Sequence, residues 1–304
     1  MTKRIMIHRL TFRDRLFEFI NYSFLTCVII VTLYPFLNVL AISLNDSTDT
    51  IRGGIYLWPR EFTLNNYLEI VKYDNLVTGF VNSVLRTVIG TVLGVFIQAM
   101  VAFTLSRRDF KGRGFVSTAI VLTMYFSGGL IPGYMLIRDL GLINSFWVYI
   151  LPGLVSAFNI IIIRSFMDSL PFSLQESAKM DGANDFTIFY RIMLPLCKPV
   201  LATIALFVAV GQWNQWFDTY LYNSMNANLT TLQYELMKIL DNTTMGGGQD
   251  ANLMRPNDQQ QANMVSPESI KMAITMVTVI PIILVYPFVQ RYFIQGMTLG
   301  AVKQ

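Results

Sequence analysis

The chain has 304 residues, of which 53% are hydrophobic and 14% charged, and its mean hydropathy is +0.47. A water-soluble domain of this size needs more polar surface than these residues supply. The formal charge of +4 is modest and unevenly placed, which excludes a nucleic-acid surface and makes charge a guide to topology instead.

The chain opens on a basic tail, residues 1–16 of MTKRIMIHRLTFRDRLFEF. The apolar run that follows, 17–44, is too long for a signal peptide and lacks a small-residue cleavage site, so it reads as a retained span. Further runs at 81–104, 115–137, 146–166, 200–221 and 272–292 each approach the ~20 residues that cross a hydrocarbon core about 30 Å thick. The expectation is an all-α integral membrane protein with six transmembrane helices over 17–304. An even count puts both termini on one side. Lys3, Arg4, Arg9, Arg13 and Arg15 before the first span, and Arg107, Arg108, Lys111 and Arg113 after the second, make that side cytoplasmic. The opposite loops agree: in 45–80, and again in 222–271, three cations meet five anions.

Ionisable groups within the spans are few. Arg86 and Asp218 lie near the outer ends of the second and fifth, where an arginine is expected to snorkel to headgroups. No Asp or Glu sits at mid-depth and the one histidine, His8, is in the tail, which argues against a proton-coupled carrier. The chain has no Gly-Lys dipeptide, hence no phosphate-cradling loop, so any ATP is hydrolysed by another subunit. No metal-ligand cluster, nucleophile elbow or paired-carboxylate site is present in the sequence. Cys27 and Cys197 read as packing residues rather than a bridge.

Between the fourth and fifth spans, at 168–199, the chain turns polar. Ser173-Leu-Gln-Glu176 fits a capping box after Pro171, opening a helix that runs to about Met180. Gly182 suits a reversal with positive φ, and Asn184 or Asp185 caps a second helix with Phe186, Phe189, Tyr190 and Met193 on one face until Pro195. This pattern alone fits an interfacial helix pair floating on headgroups as well as an elbow across the mouth of the spans.

In the fifth span, GQWNQWFDTYLY sets aromatic rings beside amides, side chains that suit flat apolar faces and hydroxyls respectively. With a rise of 1.5 Å per residue from Val200, Gln212, Trp213 and Asn214 stand roughly 18–21 Å up. Those three and Trp216 are the candidate path residues; an aromatic belt with interhelix amide bonds is the competing reading of the same side chains. Asn82, Gln98 and Asn159 are weaker candidates, and Gly90 and Gly94 have close-packing spacing. Beyond the fifth span, Leu232, Leu236, Ile239 and Leu240 mark a short amphipathic helix, followed by a segment rich in Gly, Asn, Gln and Pro.

Glu176, Ser177, Ala178, Asp181, Gly182, Ala183, Ile192, Leu194 and Pro195 resemble the EAA loop of ABC importer permeases, with Ser177 in place of the alanine at the motif's second position. NSVLRTVIGTVLG, AFTLSRRDFKGRG, FSGGLIPGYMLIRDLGLINSFWVYILPG, LATIALFVAVGQWN and YPFVQRYFIQGMTLGAVKQ resemble the maltose-type carbohydrate-uptake permeases, most of all the LplC/YtcP group. The resemblance covers nearly the whole chain from about Arg15, but little of 223–266.

It implies a type I importer permease fold in a bacterial plasma membrane, with the elbow as the coupling helix gripped by a cytoplasmic ABC ATPase dimer. It also implies a homologous permease partner, an extracytoplasmic lipoprotein that binds the solute, and an oligosaccharide cargo. No cofactor is expected on this chain, ATP and magnesium residing on the ATPase. In this reading Phe186, Phe189 and Met193 form an apolar knob, while Glu176 serves as helix cap, as interface charge, or as both. The external loop enters the cleft of the solute-binding protein or is a tolerated insertion. An ATP-independent carrier and a membrane scaffold are the rival classes.

Overall fold

The computed structural model describes residues 12–72, 74–244 and 266–301. Lys3, Arg4, Arg9 and His8 of the tail, and 245–265 of the Gly- and Asn-rich segment, lie outside the described residues. Those described are helical, with loops and one isolated antiparallel bridge between Asn45 and Phe62. The chain divides into two compact units, Met1–Glu69 with Gln249–Met276, and Ile70–Gly248 with Val277–Gln304.

In the first unit, α1 (Phe12–Ser43) has no charged side chain after Glu18. Its apolar residues, among them Phe24, Ile30 and Val31, are exposed, as befits a helix whose solvent is hydrocarbon. A polar knot closes its far end around α2 (Ser47–Thr50) and the start of α3 (Asn65–Lys72). There the Asn45 amide donates to Asp49 at 3.0 Å, Asn66 donates to the carbonyls of Ser43 (2.9 Å) and Asn45 (2.8 Å), and Arg60 pairs with Asp49 at 2.9 Å. These bonds, the Asn45 amide first, hold the Asp49 carboxyl below the usual carboxylate range.

The second unit is built on α4 (Asp74–Ser106), which packs against α7 (Ala157–Asp168), α10 (Lys198–Asn214) and α11 (Leu232–Thr244). Its small and flat side chains make this contact close: Ala99 and Ala102 meet Ile160, Ile163 and Ile204 in the core. Of the two close-packing glycines, Gly90 is the tight one, because a Cβ there would come within 3.0 Å of the Gln212 side chain, whereas the nearest atom at Gly94 would be 3.6 Å away.

Among the described residues, three helices are long and apolar enough to cross a membrane, and two bent pairs raise the number to as many as five. The fourth expected span is two 3-10 turns, Phe146–Gly153, meeting α7 at 47°. The fifth, expected over 200–221, is α10 as far as Asn214 and then a π-helical turn, Thr219–Asn223, while α9 (Asp185–Leu196), which precedes it, meets α10 at 82°. The third, expected as one helix over 115–137, is instead α5 (Arg113–Leu122) and α6 (Leu130–Asp139), each spanning only ~15 Å. Gly129 at φ +88° turns the chain into α6, a conformation that side chains disfavour. The sixth run lies in α12 (Pro267–Ala301), and α11 forms where its apolar spacing predicts, with Leu232 and Leu236 buried.

Candidate functional site

The polar stretch between α7 and α10 folds as an elbow, with one correction. α8 (Ser173–Met180) has Phe172, not Ser173, in the capping position, and no side-chain cap. The amides of Leu174 and Gln175 already bond to the carbonyls of Pro171 (3.2 Å) and Phe172 (2.9 Å), so Ser173 falls inside the first turn and the capping box is not made. Glu176, Ser177 and Asp181 are left exposed, while Ala178 is buried.

Gly182 then reverses the chain at φ +80°, with no atom within 4 Å of where a Cβ would stand, so the demand for glycine there is purely conformational. Asn184 caps α9, its carboxamide oxygen accepting from the Thr187 amide at 2.8 Å. Downstream, Ile188–Met193 is a π-helical turn in which the Leu194 amide reaches back to the Phe189 carbonyl. The wide turn ends two residues before Pro195, which has no N–H to donate and strains an ordinary α-turn.

Within α9, residues four apart share a face. Phe189 and Met193 point inward, the Phe189 ring lying 5.8 Å from that of Phe96 and 5.4 Å from that of Phe103. Ala183, Ile192 and Leu194 pack partly on the same core. The knob expected from Phe186, Phe189 and Met193 is therefore corrected: two of its members complete the chain's own interior. What projects is Phe186, 62% exposed, stacked on Tyr190, 59% exposed, with ring planes 6° apart.

The loop after α4 fastens this elbow. The Arg107 side chain, nearly buried, pairs with Asp109 at 2.7 Å and Asp185 at 3.0 Å, and Lys179 reaches the same Asp109 at 2.9 Å. Hydrogen bonds from Arg107 and then Lys179 hold the Asp109 carboxyl well below the usual carboxylate range, and the bond to Asp109 raises Arg107. Sequence reasoning used Arg107 only as a topological charge and did not single out Asp109. The signal was a basic pair beside an Asp, facing a polar stretch with Lys179, Asp181 and Asp185.

About two-thirds of the way back along α4 lies a second buried cluster. Arg86, 2% exposed, forms a bidentate pair with Asp218 at 2.5 and 3.1 Å; it does not snorkel. Its Nε donates to the Gln212 side-chain oxygen at 3.1 Å, an Nη donates to the Gln215 carbonyl at 3.2 Å, and its face lies 4.5 Å over the Tyr149 ring. The four path candidates diverge here. Gln212 is held by Arg86, and Trp213 is buried, donating to the Thr278 carbonyl at 2.8 Å and lining a small apolar cavity with Leu206 and Pro281. Asn214, the last residue of α10, is exposed, and Trp216 is half-buried against Phe217 and Tyr220. Of the weaker candidates, Asn82 bonds the carbonyls of Asn228 and Thr230 at 2.8 Å each, and Gln98 bonds that of Leu154 at 3.0 Å. Among the described residues no group of three or more His, Cys, Asp or Glu is placed to hold a metal ion.

The family described as "binding-protein-dependent transport system inner membrane component" matches residues 75–299. The chain is 38% identical to the polygalacturonan/rhamnogalacturonan transport system permease protein YtcP of Bacillus subtilis (strain 168), over 96% of this chain and 99% of that one. It is 37% identical to protein LplC of the same organism, over 95% of each. Among solved structures, a chain of a bacterial ABC transporter involved in the import of the acidic polysaccharide alginate superposes with a TM-score of 0.82 at 30% identity, covering 93% of this chain and 98% of that one.

Proposed function

The chain belongs to the family of binding-protein-dependent transport system inner membrane components, and from that premise we propose how this permease works. It is the membrane-spanning subunit of an ATP-driven importer, a transport subunit rather than an enzyme. It crosses a bacterial plasma membrane six times with both termini cytoplasmic, the split α5 and α6 making one crossing. Residues 17–304 form the permease domain, 168–199 its coupling loop and 222–271 its external loop. It pairs with a homologous permease, is driven by an ABC ATPase dimer that holds ATP and magnesium, and receives oligosaccharide from a solute-binding protein. The relatives support that cargo class, since YtcP belongs to a polygalacturonan/rhamnogalacturonan transport system and the solved transporter is involved in alginate import.

One observation carries the mechanical part. The elbow is anchored in the chain's core through Phe189 and Met193, and leaves exposed a stacked Phe186 and Tyr190, and also Glu176. A partner that grips this ring pair pulls on side chains packed directly against α4 through Phe96 and Phe103. Gly182 sets the angle between the two arms, and Asp181 and Ala183 flank it. At the other end, Asn214 and Trp216 are the side chains best placed to meet sugar hydroxyls and ring faces. Gln212 and Trp213 support them from behind.

Gly182→Val tests the coupling role. In proteoliposomes holding the assembled importer, the variant inserts normally and its ATPase still turns over, but sugar uptake falls at least tenfold. Uptake that persists without ATP under an ion gradient, or that is untouched by the substitution, overturns the proposal.

A further inference from the structure

We infer that Arg86 is a positioning residue that holds a break in the fifth span, and is not a charge that cargo contacts. α10 ends at Asn214, Gln215 is extended at ψ 122°, and helical geometry resumes only beyond Trp216. Such a break leaves backbone carbonyls without helical partners, which is costly inside a bilayer unless another group of the protein satisfies them. Arg86 supplies that group: it donates to the Gln215 carbonyl, grips Gln212 one turn before the break and pairs with Asp218 just after it. All three guanidinium nitrogens are engaged within the chain and the face is covered by Tyr149. A cargo ligand needs an accessible donor and an unneutralised charge, and Arg86, 2% exposed and paired with Asp218, offers neither.

The same face of α4 continues the grip at helical spacing. Asn82 holds the carbonyls of Asn228 and Thr230, and the Ser83 hydroxyl accepts from the Leu232 amide at 3.0 Å. At Gly79 the backbone of Thr231 and Leu232 comes so near that a Cβ would stand 3.0 Å from it. One seam of α4, from Gly79 to Gly90, thus fixes both the break and the segment leading into α11. Asn214 and Trp216 sit at the break because Arg86 keeps it in place.

The test uses the full chain in nanodiscs for the label, and the assembled importer in proteoliposomes for uptake, with Cys27 and Cys197 replaced by alanine and a spin label on Gln215→Cys, whose side chain is exposed. Arg86→Met with Asp218→Leu removes both charges together, an exchange that buried pairs commonly tolerate. The expected result is a label at 215 that becomes several-fold more mobile, while a label on Val92→Cys, exposed on α4, does not change. Arg86→Lys serves as the second variant, since a single ammonium keeps the charge but not the fork that reaches Gln212, Gln215 and Asp218 at once. It too loosens the label. Uptake of neutral and acidic oligosaccharides falls by the same factor. An unchanged label at 215, or a loss confined to acidic cargo, overturns the inference. The uptake arm rests on the importer reading and the label arm does not, so failure of that reading alone leaves the label result standing.

Discussion

Arg86 lies within α4 and Arg107 one residue past its end, roughly 31 Å on by helical rise, and both are buried arginines that tie this part of the chain to an irregular stretch. Their partners differ. Arg86 meets Asp218, only 15% exposed, and the cluster is largely closed to solvent. Arg107 meets Asp109 and Asp185, 58% and 68% exposed, so its charges are shared with whatever solvent or protein lies beyond them. A closed cluster fixes a shape, whereas an open one keeps its shape and still leaves carboxylates for a neighbour to use. The contrast matches the proposed division of labour between the cargo end and the driven end.

The sharpest way to break this comparison is to delete each arginine. Arg86→Ala leaves the largely shielded Asp218 carboxylate without its cation, with only the Thr219 amide still donating to it, and is expected to cost about 3–5 kcal/mol of stability. Arg107→Ala is expected to cost less, about 1.5–3 kcal/mol, because Asp109 and Asp185 return to water. Thermal unfolding in detergent, followed by Trp fluorescence, ranks the two; equal losses dissolve the distinction between closed and open. Acid sharpens it next. The Asp109 pKa is depressed in the folded state, so its contribution is complete above the unfolded value of about 3.9 and is lost as pH falls through the lower, folded value. The melting difference between wild type and Asp109→Asn should therefore be flat from pH 7 to about 5 and close below that. A difference that narrows already near neutrality points to another group. The smallest effect on stability is expected from Phe186→Ala with Tyr190→Ala: within about 0.5 kcal/mol, since both rings are exposed. Co-purification with the ATPase should drop sharply in the same variant, and retention of full binding removes the ring pair from the coupling surface.

Much of this was legible before any coordinates, and the exceptions have physical causes. Length and hydropathy suffice for α1, α4 and α12 because those runs are long and uninterrupted. They fail at 115–137 because hydropathy measures how apolar a run is, not whether its backbone stays helical, and residues 123–129 carry no charged side chain to mark the break. In the elbow, the reversal at Gly182 and the cap at Asn184 follow from local chemistry and could be read directly. The inward turn of Phe189 and Met193 could not, since apolar spacing marks a face without saying whether its own chain or a partner covers it. Arg86 and Asp218 are 132 positions apart, and each alone is explained as well by a headgroup as by a partner. Only the fold brings them together.

The polar knot that ends α1 has a bearing on membranes of unequal thickness. A 32-residue helix is ~48 Å long against a hydrocarbon layer of ~30 Å, so there is surplus to be accommodated. With one end stapled through Asn45, Asn66 and Asp49, the adjustable end is the other, where Arg13, Asp14, Arg15 and Glu18 occupy the first two turns and tolerate either headgroups or water. A bilayer a few ångströms thicker or thinner is then met by sliding a charged collar, leaving the stapled end undisturbed.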